Sequence, residues 1–543
     1  MPQWRLRARR PSGISEARVN RDADLVAPFL KDAAHFPGGR SAGVVYACSE
    51  ADVAAVLGGA ETVLPIGAQS SLTGGGTPMG DVILSTSRLN HIELVGPQLA
   101  RVGAGVTLVA LDEALSRAGR YYPPAPTFTG AFVGGTIATN AAGAATFKYG
   151  TTRDWVQAIT VVLPSGDVLD ITRGDARAHS DGYFELELER GMVRVGVPTY
   201  AMPQVPKVSA GYFAKPGMDL IDLFIGSEGT LGVVTEATLR LVATRPVSSL
   251  VFVPFDDRDR GLAFVRRLRD VSRETWRTGD GHGVDIASIE HLDARCLQLL
   301  RDDHADRANG VTLSDSARLA ILVNLELPVG TSAGDLYDLV AGTGEGRPDD
   351  SPVTRFLSLL SEAYCSSRSD PACLEHVEIA VPGDRARMNQ LLALREAVPA
   401  AVNARIGHAQ RTADPRIEKT AADMIVPFER FGALLDYYDN EFRRRGLDAA
   451  IWGHISDGNV HPNVIPRSFA DVESGREAIL EFGREVIRMG GSPLAEHGVG
   501  RSRTKQRLLR ELYGDRGIEE MRAVKRAIDP ASKLAPGVLI PKA

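Results

Sequence analysis

Apolar and polar positions along this chain follow two textures that change near Pro246. From about Gly43 to Val242 the sequence is rich in Gly, Ala, Thr and Val, in short runs of strand length. Thr62–Leu64, Val82–Ser85 and Val156–Leu163 are predicted strands. Pro164-Ser165-Gly166 is a turn signal, and Val168–Ile171 after it completes a predicted hairpin. Thr107 is placed to cap an amphipathic helix over Leu108–Arg117. Beyond Pro246 the periodicity is that of charged amphipathic helices, at Leu262–Arg273 and Ala386–Val398, with strands such as Leu319–Leu325 between them. Pro399 is expected to stop the second of these helices. Gly342–Ser351 reads as a loop, Asp471–Met489 as a helix, and Arg507–Ile528 as a closing helix stopped by Asp529-Pro530. No internal repeat or low-complexity segment interrupts this order. Strands and helices without regular alternation predict α+β domains rather than one parallel sheet.

Length and charge narrow the picture. With 543 residues the chain is too long for one core, so two or three domains are expected. Its 44% apolar and 24% charged content is that of a globular protein. A net charge of −6 argues against a nucleic-acid partner, which requires a basic surface. No apolar run approaches the roughly 20 residues of a membrane span. Cys48, Cys296, Cys365 and Cys373 have no CxxC spacing, so a reducing, cytoplasmic compartment suits them. The basic start, MPQWRLRARRPSG, has no apolar core behind it. It reads as an irregular N-terminal arm, with an Arg-rich organelle-targeting segment as the alternative.

Candidate chemistry concentrates in His454-Ile-Ser-Asp457-Gly458-Asn459-Val-His461-Pro-Asn463, followed later by Glu496-His497. Asp457-Gly458 is a hairpin signal between the apolar runs Ala449–Trp452 and Val460–Ile465. Such a turn puts His454 on the outgoing strand and His461 on the returning one, where both can converge on one ion. Asn463 projects from the same face as His461. Two imidazoles and a carboxylate suit a divalent transition metal with an open position. Of the neighbours Glu496 and His497, one can ligate while the other does acid–base work. A surface or core histidine pair is the plain alternative.

Three small-residue segments precede this cluster. The first is Pro65-Ile-Gly67-Ala68-Gln69-Ser70-Ser71-Leu-Thr73-Gly74-Gly75-Gly76. The second runs from Pro123 through Pro126-Thr127 and Gly130 to Val133-Gly134-Gly135-Thr-Ile137-Ala138-Thr-Asn140 and Gly143. The third is Gly226-Ser227-Glu228-Gly229-Thr-Leu-Gly232-Val233-Val234. None is a GxGxxG or GxxxxGK[ST] signature. Each alone is either a tight turn or a nest for phosphate oxygens. Together they are explained by a large flat cofactor lying between backbones.

These segments, with Lys148-Tyr149-Gly150-Thr-Thr-Arg153-Asp154 and with Lys207, Gly211 and Tyr212, resemble the FAD-binding domain of the vanillyl-alcohol oxidase / p-cresol methylhydroxylase superfamily. The back half resembles the FAD-linked oxidase C-terminal domain of the D-lactate, glycolate and D-2-hydroxyglutarate dehydrogenases. In that group HxGDGNxHxN and a later Glu-His carry metal and base. The resemblance implies an α+β protein with an N-terminal arm at 1–38 and a two-lobed FAD domain at 39–245. A ferredoxin-like substrate and metal domain follows at 246–500, and a helical segment at 501–543 returns to the FAD domain. It implies FAD along the three loops and at Tyr149-Gly150. It implies a divalent Zn, Mn or Fe ion on His454, His461 and Glu496, with His497 as base. Leu394-Arg395-Glu396 resembles the segment whose Arg grips a substrate carboxylate, the plain alternative being an exposed helix charge. Lys419 is a second anionic contact by resemblance, and Asn463 belongs to the same site.

The chain departs from the pattern in places. Ser456 replaces a usual Gly. Gln69-Ser70 occupies the place of a flavin-linked His, so non-covalent FAD is expected. Pro399 stands where the hydroxyglutarate enzymes carry a hydroxyl. The implied activity is oxidation of a D-2-hydroxy acid to the 2-oxo acid, with electrons passed to a quinone, an electron-transfer protein or oxygen. Two other readings remain open: a non-redox flavoenzyme like alkylglycerone-phosphate synthase, or a non-catalytic FAD subunit of an oxidase complex. A homodimer and a peripheral membrane or organellar location are compatible with the sequence.

Overall fold

The computed structural model describes residues 2–124, 126–332, 350–364 and 374–541. Residues 342–349 of the expected Gly342–Ser351 loop lie outside them. The chain divides into two units. The first comprises Met1–Gly143, Tyr149–Arg245 and Ser492–Ala543, and the second Ala144–Lys148 and Pro246–Gly491. The expected boundary at residue 500 therefore falls at 491, and Glu496 and His497 belong to the first unit. Among the described residues no helix is long and apolar enough to cross a membrane.

In the first unit Gly43–Tyr46, Val82–Ser85 and Val63–Ile66 form a parallel sheet in that order. Parallel strands are buried on both faces, which is why these runs are continuously apolar. Val44, Val63, Ile83 and Leu84 are accordingly all sealed from solvent. The edge strand Val63–Ile66 is covered by the chain's end: Val63 N–H donates to Lys533 O at 2.9 Å and Ala535 N–H to Val63 O at 2.8 Å. The returning C-terminal segment thus satisfies an edge that would otherwise be open. A second, five-stranded antiparallel sheet runs Ile92–Leu94, Leu99–Gly103, Val233–Arg240, Val156–Val162, Val168–Thr172. The Val156–Val162 and Val168–Thr172 pair is the predicted hairpin. Thr107 caps Leu108–Arg117 through its side chain, which accepts from Ala110 N. The N-terminal arm is not irregular throughout. Arg5–Arg7 pairs in parallel with Tyr183–Leu188, an alternation too short to register as a strand in sequence.

The second unit is an antiparallel sheet ordered Glu378–Ala380, Val247–Phe255, Leu319–Leu327, Asp285–Asp293, Ala449–His454, Asn459–Val464, Thr420–Ala421, with Met424–Ile425 also paired to Asn459–Val464. Leu292, Ala450 and Trp452 pack with Leu297, Leu391 and Leu394 of the helices Ala294–Asp302 and Arg385–Thr412. The latter helix runs through Pro399 to Thr412 rather than ending before it. Proline inside a helix costs about 3 kcal/mol, because it removes one hydrogen bond and crowds the preceding turn. Burial of Leu391, Leu394, Val398, Val402 and Ile406 along one face outweighs that, at roughly 1.5–3 kcal/mol per large aliphatic side chain. Tertiary packing, not local propensity, decides this helix.

The hairpin that joins Ala449–His454 to Asn459–Val464 turns at Gly458, with φ of 86°. A Cβ there would stand 2.3 Å from the Val426 carbonyl oxygen. Gly458→Ala is therefore expected to lower stability by at least about 2 kcal/mol, from left-handed strain and overlap together. Chemical denaturation of wild type and variant measures it. Equal midpoints would show that the turn relaxes freely.

Candidate active site

The first unit brings the three small-residue loops to one cleft. Its walls are Pro65, Ile66, Gly67, Thr86, Gly134, Gly135, Ala138, Phe224, Ser227, Glu228, Gly229, Gly232, Val233 and Val234. Ten of these carry the sequence expectation of cofactor contact, while Ile66, Thr86, Phe224 and Ser227 were not marked. No residue-type signal distinguishes those four from ordinary core. A Cβ on Gly135 would meet open space, whereas one on Gly134 would fall 2.7 Å from the Ala104 Cβ. One glycine admits a close ring or phosphate, and the other packs helix against strand. The donor set, largely backbone and small side chains, fits FAD.

The other residues expected to touch FAD do not form this cleft's walls: Ala68, Gln69, Ser70, Ser71, Thr73, Gly74, Pro126, Thr127, Gly130, Val133, Ile137, Asn140, Gly143, Tyr149 and Gly150. Several have internal tasks. Gln69, at φ 53°, donates its amide to the carbonyls of Phe29 at 2.8 Å and Gly76 at 3.2 Å, so it braces its own loop. Asn140 ends the helix Val133–Thr139 in the left-handed conformation and accepts from Arg153 N at 2.9 Å. Gly150 is dictated by the Thr151/Asp154 capping box, since a Cβ would lie 2.4 Å from Asp154 Oδ2. Glu228 accepts from Val499 N and Gly500 N, both at 2.8 Å. Burial raises the Glu228 carboxyl, with these two bonds pulling the other way. They also fix the segment that carries Glu496 and His497. There the Lys207 ammonium, sealed from solvent, donates to the Glu496 carboxylate. His497 is half-buried.

The second unit gathers its own set on one sheet face. The register pairs Glu290 with His454, Trp452 with His461, and Ala450 and Ala421 with Asn463. Opposed residues share a face and alternate residues along a strand do too. Glu290, His454, His461, Asn463 and Ala421 therefore look the same way. The His454 and His461 rings lie 5.5 Å apart, nearly perpendicular at 87°, and their ligand nitrogens approach within 4.8 Å. Such a pair suits one shared ion.

Around this pair the polar groups are specific. His454 Nδ1 is 3.0 Å from Glu290 Oε1, and His461 Nδ1 is 3.5 Å from Asp423 Oδ1. Asn459 donates to Asp423 Oδ1 at 3.0 Å and to Met424 O at 2.9 Å, holding that carboxylate. Asn463 donates to His461 O at 2.8 Å, while its own Oδ1 is buried with no hydrogen-bond partner among the described residues. Ser456 is well accommodated: its hydroxyl accepts from Ile289 N at 3.2 Å, and Arg269 Nε donates to its carbonyl at 2.8 Å.

Arg395 is neither an exposed helix charge nor an unengaged carboxylate clamp. It is buried, with Nε and Nη2 each 3.2 Å from Glu290 Oε2 and Nη1 2.7 Å from Glu396 Oε1. Burial alone would raise the Glu290 carboxyl. Arg395 and His454 outweigh it and hold the group down at about 2. Glu290 escaped sequence reading because one acid in Asp285–Asp293 looks like an outward strand position. Lys419 is exposed, yet desolvation at its head group draws the ammonium below its ordinary value.

Comparison with known proteins accords with these two units. A model of the FAD binding domain matches residues 41–172, and one of the FAD linked oxidase C-terminal domain matches 247–539. The glycolate oxidase subunit GlcD of Bacillus subtilis is 26% identical over 88% of this chain and 84% of its own length. A D-2-hydroxyglutarate dehydrogenase of Xanthomonas citri is 28% identical over 88% and 84%. A D-lactate dehydrogenase of Archaeoglobus fulgidus is 25% identical over 92% and 91%. In fold, a 4-ethylphenol oxidase from Gulosibacter chungangensis aligns at a TM-score of 0.62 with 16% identity, over 98% of this chain and 99% of its own. An alkyldihydroxyacetonephosphate synthase aligns at 0.54 with 16% identity, over 91% and 75%. With the C-terminal model spanning more than half its length, and an FAD-binding model ahead of it, this chain belongs to the FAD-linked oxidase family of flavin-dependent oxidoreductases.

Proposed function

We propose that the protein oxidises a D-2-hydroxy acid to the corresponding 2-oxo acid. The observation that carries this reading is the single sheet face bearing His454, His461 and Asn463, with Lys419 immediately ahead of its strand Thr420–Ala421, in a chain whose relatives are named for D-lactate, glycolate and D-2-hydroxyglutarate. Such a substrate needs its carboxylate held, its hydroxyl proton removed and its α-hydrogen transferred. FAD in the loop-lined cleft supplies the hydride acceptor. A divalent ion would be held by His454 and His461, where it would supply positive charge against which a hydroxyl ionises more readily.

The chain's own groups do the rest. Lys419 offers a cation for the substrate carboxylate, as a point charge. Asn463 Oδ1 is an acceptor already stripped of water, so it favours a ligand that brings a donor such as a hydroxyl. Arg395, with two carboxylates around it, contributes at most its remaining N–H groups. His497 is the proposed base, taking the hydroxyl proton onto its imidazole. Pro399 brings no hydroxyl to the helix that carries Arg395, which favours a short hydroxy acid over one with a second carboxylate.

Three outcomes test the reading. Acid or heat should release an oxidised FAD spectrum into solution, because Gln69 offers no attachment point and is occupied as a brace. Yellow colour retained in the denatured chain would refute non-covalent binding. Anaerobic mixing with D-lactate or glycolate should bleach the flavin faster than the L-isomer of lactate, and prior chelation should slow that bleaching. Indifference to every hydroxy acid tried would remove the proposed activity. Finally, His497→Ala should keep FAD and metal yet reduce flavin about two to four orders of magnitude more slowly in stopped flow. An unchanged rate would make His497 a structural residue.

A further inference from the structure

We infer that Glu290 is a positioning residue that sets both the metal-facing nitrogen of His454 and the orientation of Arg395. The inference rests on the proposed assignment of His454 to a metal. It names a residue outside the motif His454–Asn463 and outside Glu496-His497.

The geometry is direct. Glu290 lies on the strand Asp285–Asp293, opposite His454 in the register. One carboxylate oxygen, Oε1, is 3.0 Å from His454 Nδ1. The other, Oε2, accepts from Arg395 Nε and Nη2 at 3.2 Å each. An ionised carboxylate has no proton to give, so His454 Nδ1 must be the donor. The imidazole is then held with its proton on Nδ1 and its lone pair on Nε2. A carboxylate behind a ligating histidine fixes tautomer and ring angle and raises the basicity of the ligand nitrogen. Here the same carboxylate is also tethered to a buried guanidinium, so it cannot swing away. Arg395 in turn is held by Glu396 at its far edge, 2.7 Å from Nη1. The chain Glu396–Arg395–Glu290–His454 is continuous, buried at Arg395 and His454 and partly buried at Glu290, and entirely within the second unit.

A consequence separates this role from simple packing. Among the described residues Arg395 pairs with Glu290 and Glu396 and with neither His454 nor His461, yet its removal should weaken metal binding, because Glu290 loses the tether that aims it. A residue that only filled space beside His454 would not couple the two.

The test uses the FAD-loaded full chain and zinc alone as the probe, with affinity read by competition against a chromogenic chelator. Glu290→Gln is expected to weaken zinc binding 10- to 100-fold while FAD content is retained. Turnover of the variant should return when zinc is raised to saturation, a rescue that a collapsed site would not give. Removing one charge from a buried pair can unfold the unit. The double variant Glu290→Gln, Arg395→Gln removes both charges together, and it should show the same loss of affinity with a native unfolding transition. His454→Ala distinguishes the underlying reading. If it binds zinc as tightly as wild type, the metal assignment falls and this inference with it. If His454→Ala loses zinc while both the Glu290 single and the double variant bind it at wild-type strength, only the role of Glu290 is overturned.

Discussion

A partly buried carboxylate held between two cationic or proton-donating partners governs the second unit. Glu290 is partly shielded from water on its strand, beside the helix Arg385–Thr412, which carries Arg395. Leaving one member of such a set without its partner costs several kcal/mol, because the charge that remains is desolvated and uncompensated. Arg395 must therefore come to Glu290, and the helix that brings it must persist past Pro399. Helix, strand and hairpin are fixed relative to one another by this requirement as much as by the apolar contacts of Leu292, Leu391, Leu394 and Trp452. The positions of His454 and His461 then follow from strand parity.

The first unit depends on a different constraint, the satisfaction of backbone at close approach. Its three loops are built of residues small enough to leave a cleft. Their shapes are maintained by groups outside it: the Gln69 amide on Phe29 O and Gly76 O, and Asn140 on Arg153 N. Glu228 ties the third loop to Val499 and Gly500 of the C-terminal segment, and the chain's end closes the edge of Val63–Ile66. Residues that read as cofactor contacts in sequence thus divide into walls and braces. The division follows hydrogen-bonding geometry, which residue type does not reveal.

Periodicity made much of the fold legible. Val82–Ser85 and Leu108–Arg117 form as the pattern predicts, since each agrees with its local propensity and its turn or cap. The His454–His461 hairpin was legible because Asp457-Gly458 is a strong local signal between apolar runs. What escaped was decided at long range. Pro399 reads as a helix stop locally and is overridden by packing. Arg5–Arg7 becomes a strand only because Tyr183–Leu188 accepts it, and Glu290 and Lys207 gain meaning only from the partners opposite them. The flavin cleft was legible as three loops but not in its apolar walls, where Phe224 and Ile66 look like any core residue.

The two turn positions Ser456 and Gly458 show why a motif tolerates change at one place and not at another two residues on. Neither is defined by its side-chain chemistry alone. At Gly458 the backbone is left-handed and a carbonyl stands where a Cβ would go, so strain and overlap both oppose any larger residue. At Ser456 the backbone takes no left-handed conformation, and the added hydroxyl accepts the Ile289 N–H while Ser456 N–H returns a bond to Ile289 O. Serine here extends the pairing between the hairpin and the strand that holds Glu290. The departure from the motif therefore strengthens the link between His454 and its partner carboxylate instead of loosening the turn. A substitution that looks like an erosion of the pattern in sequence is, in the fold, part of the same polar network.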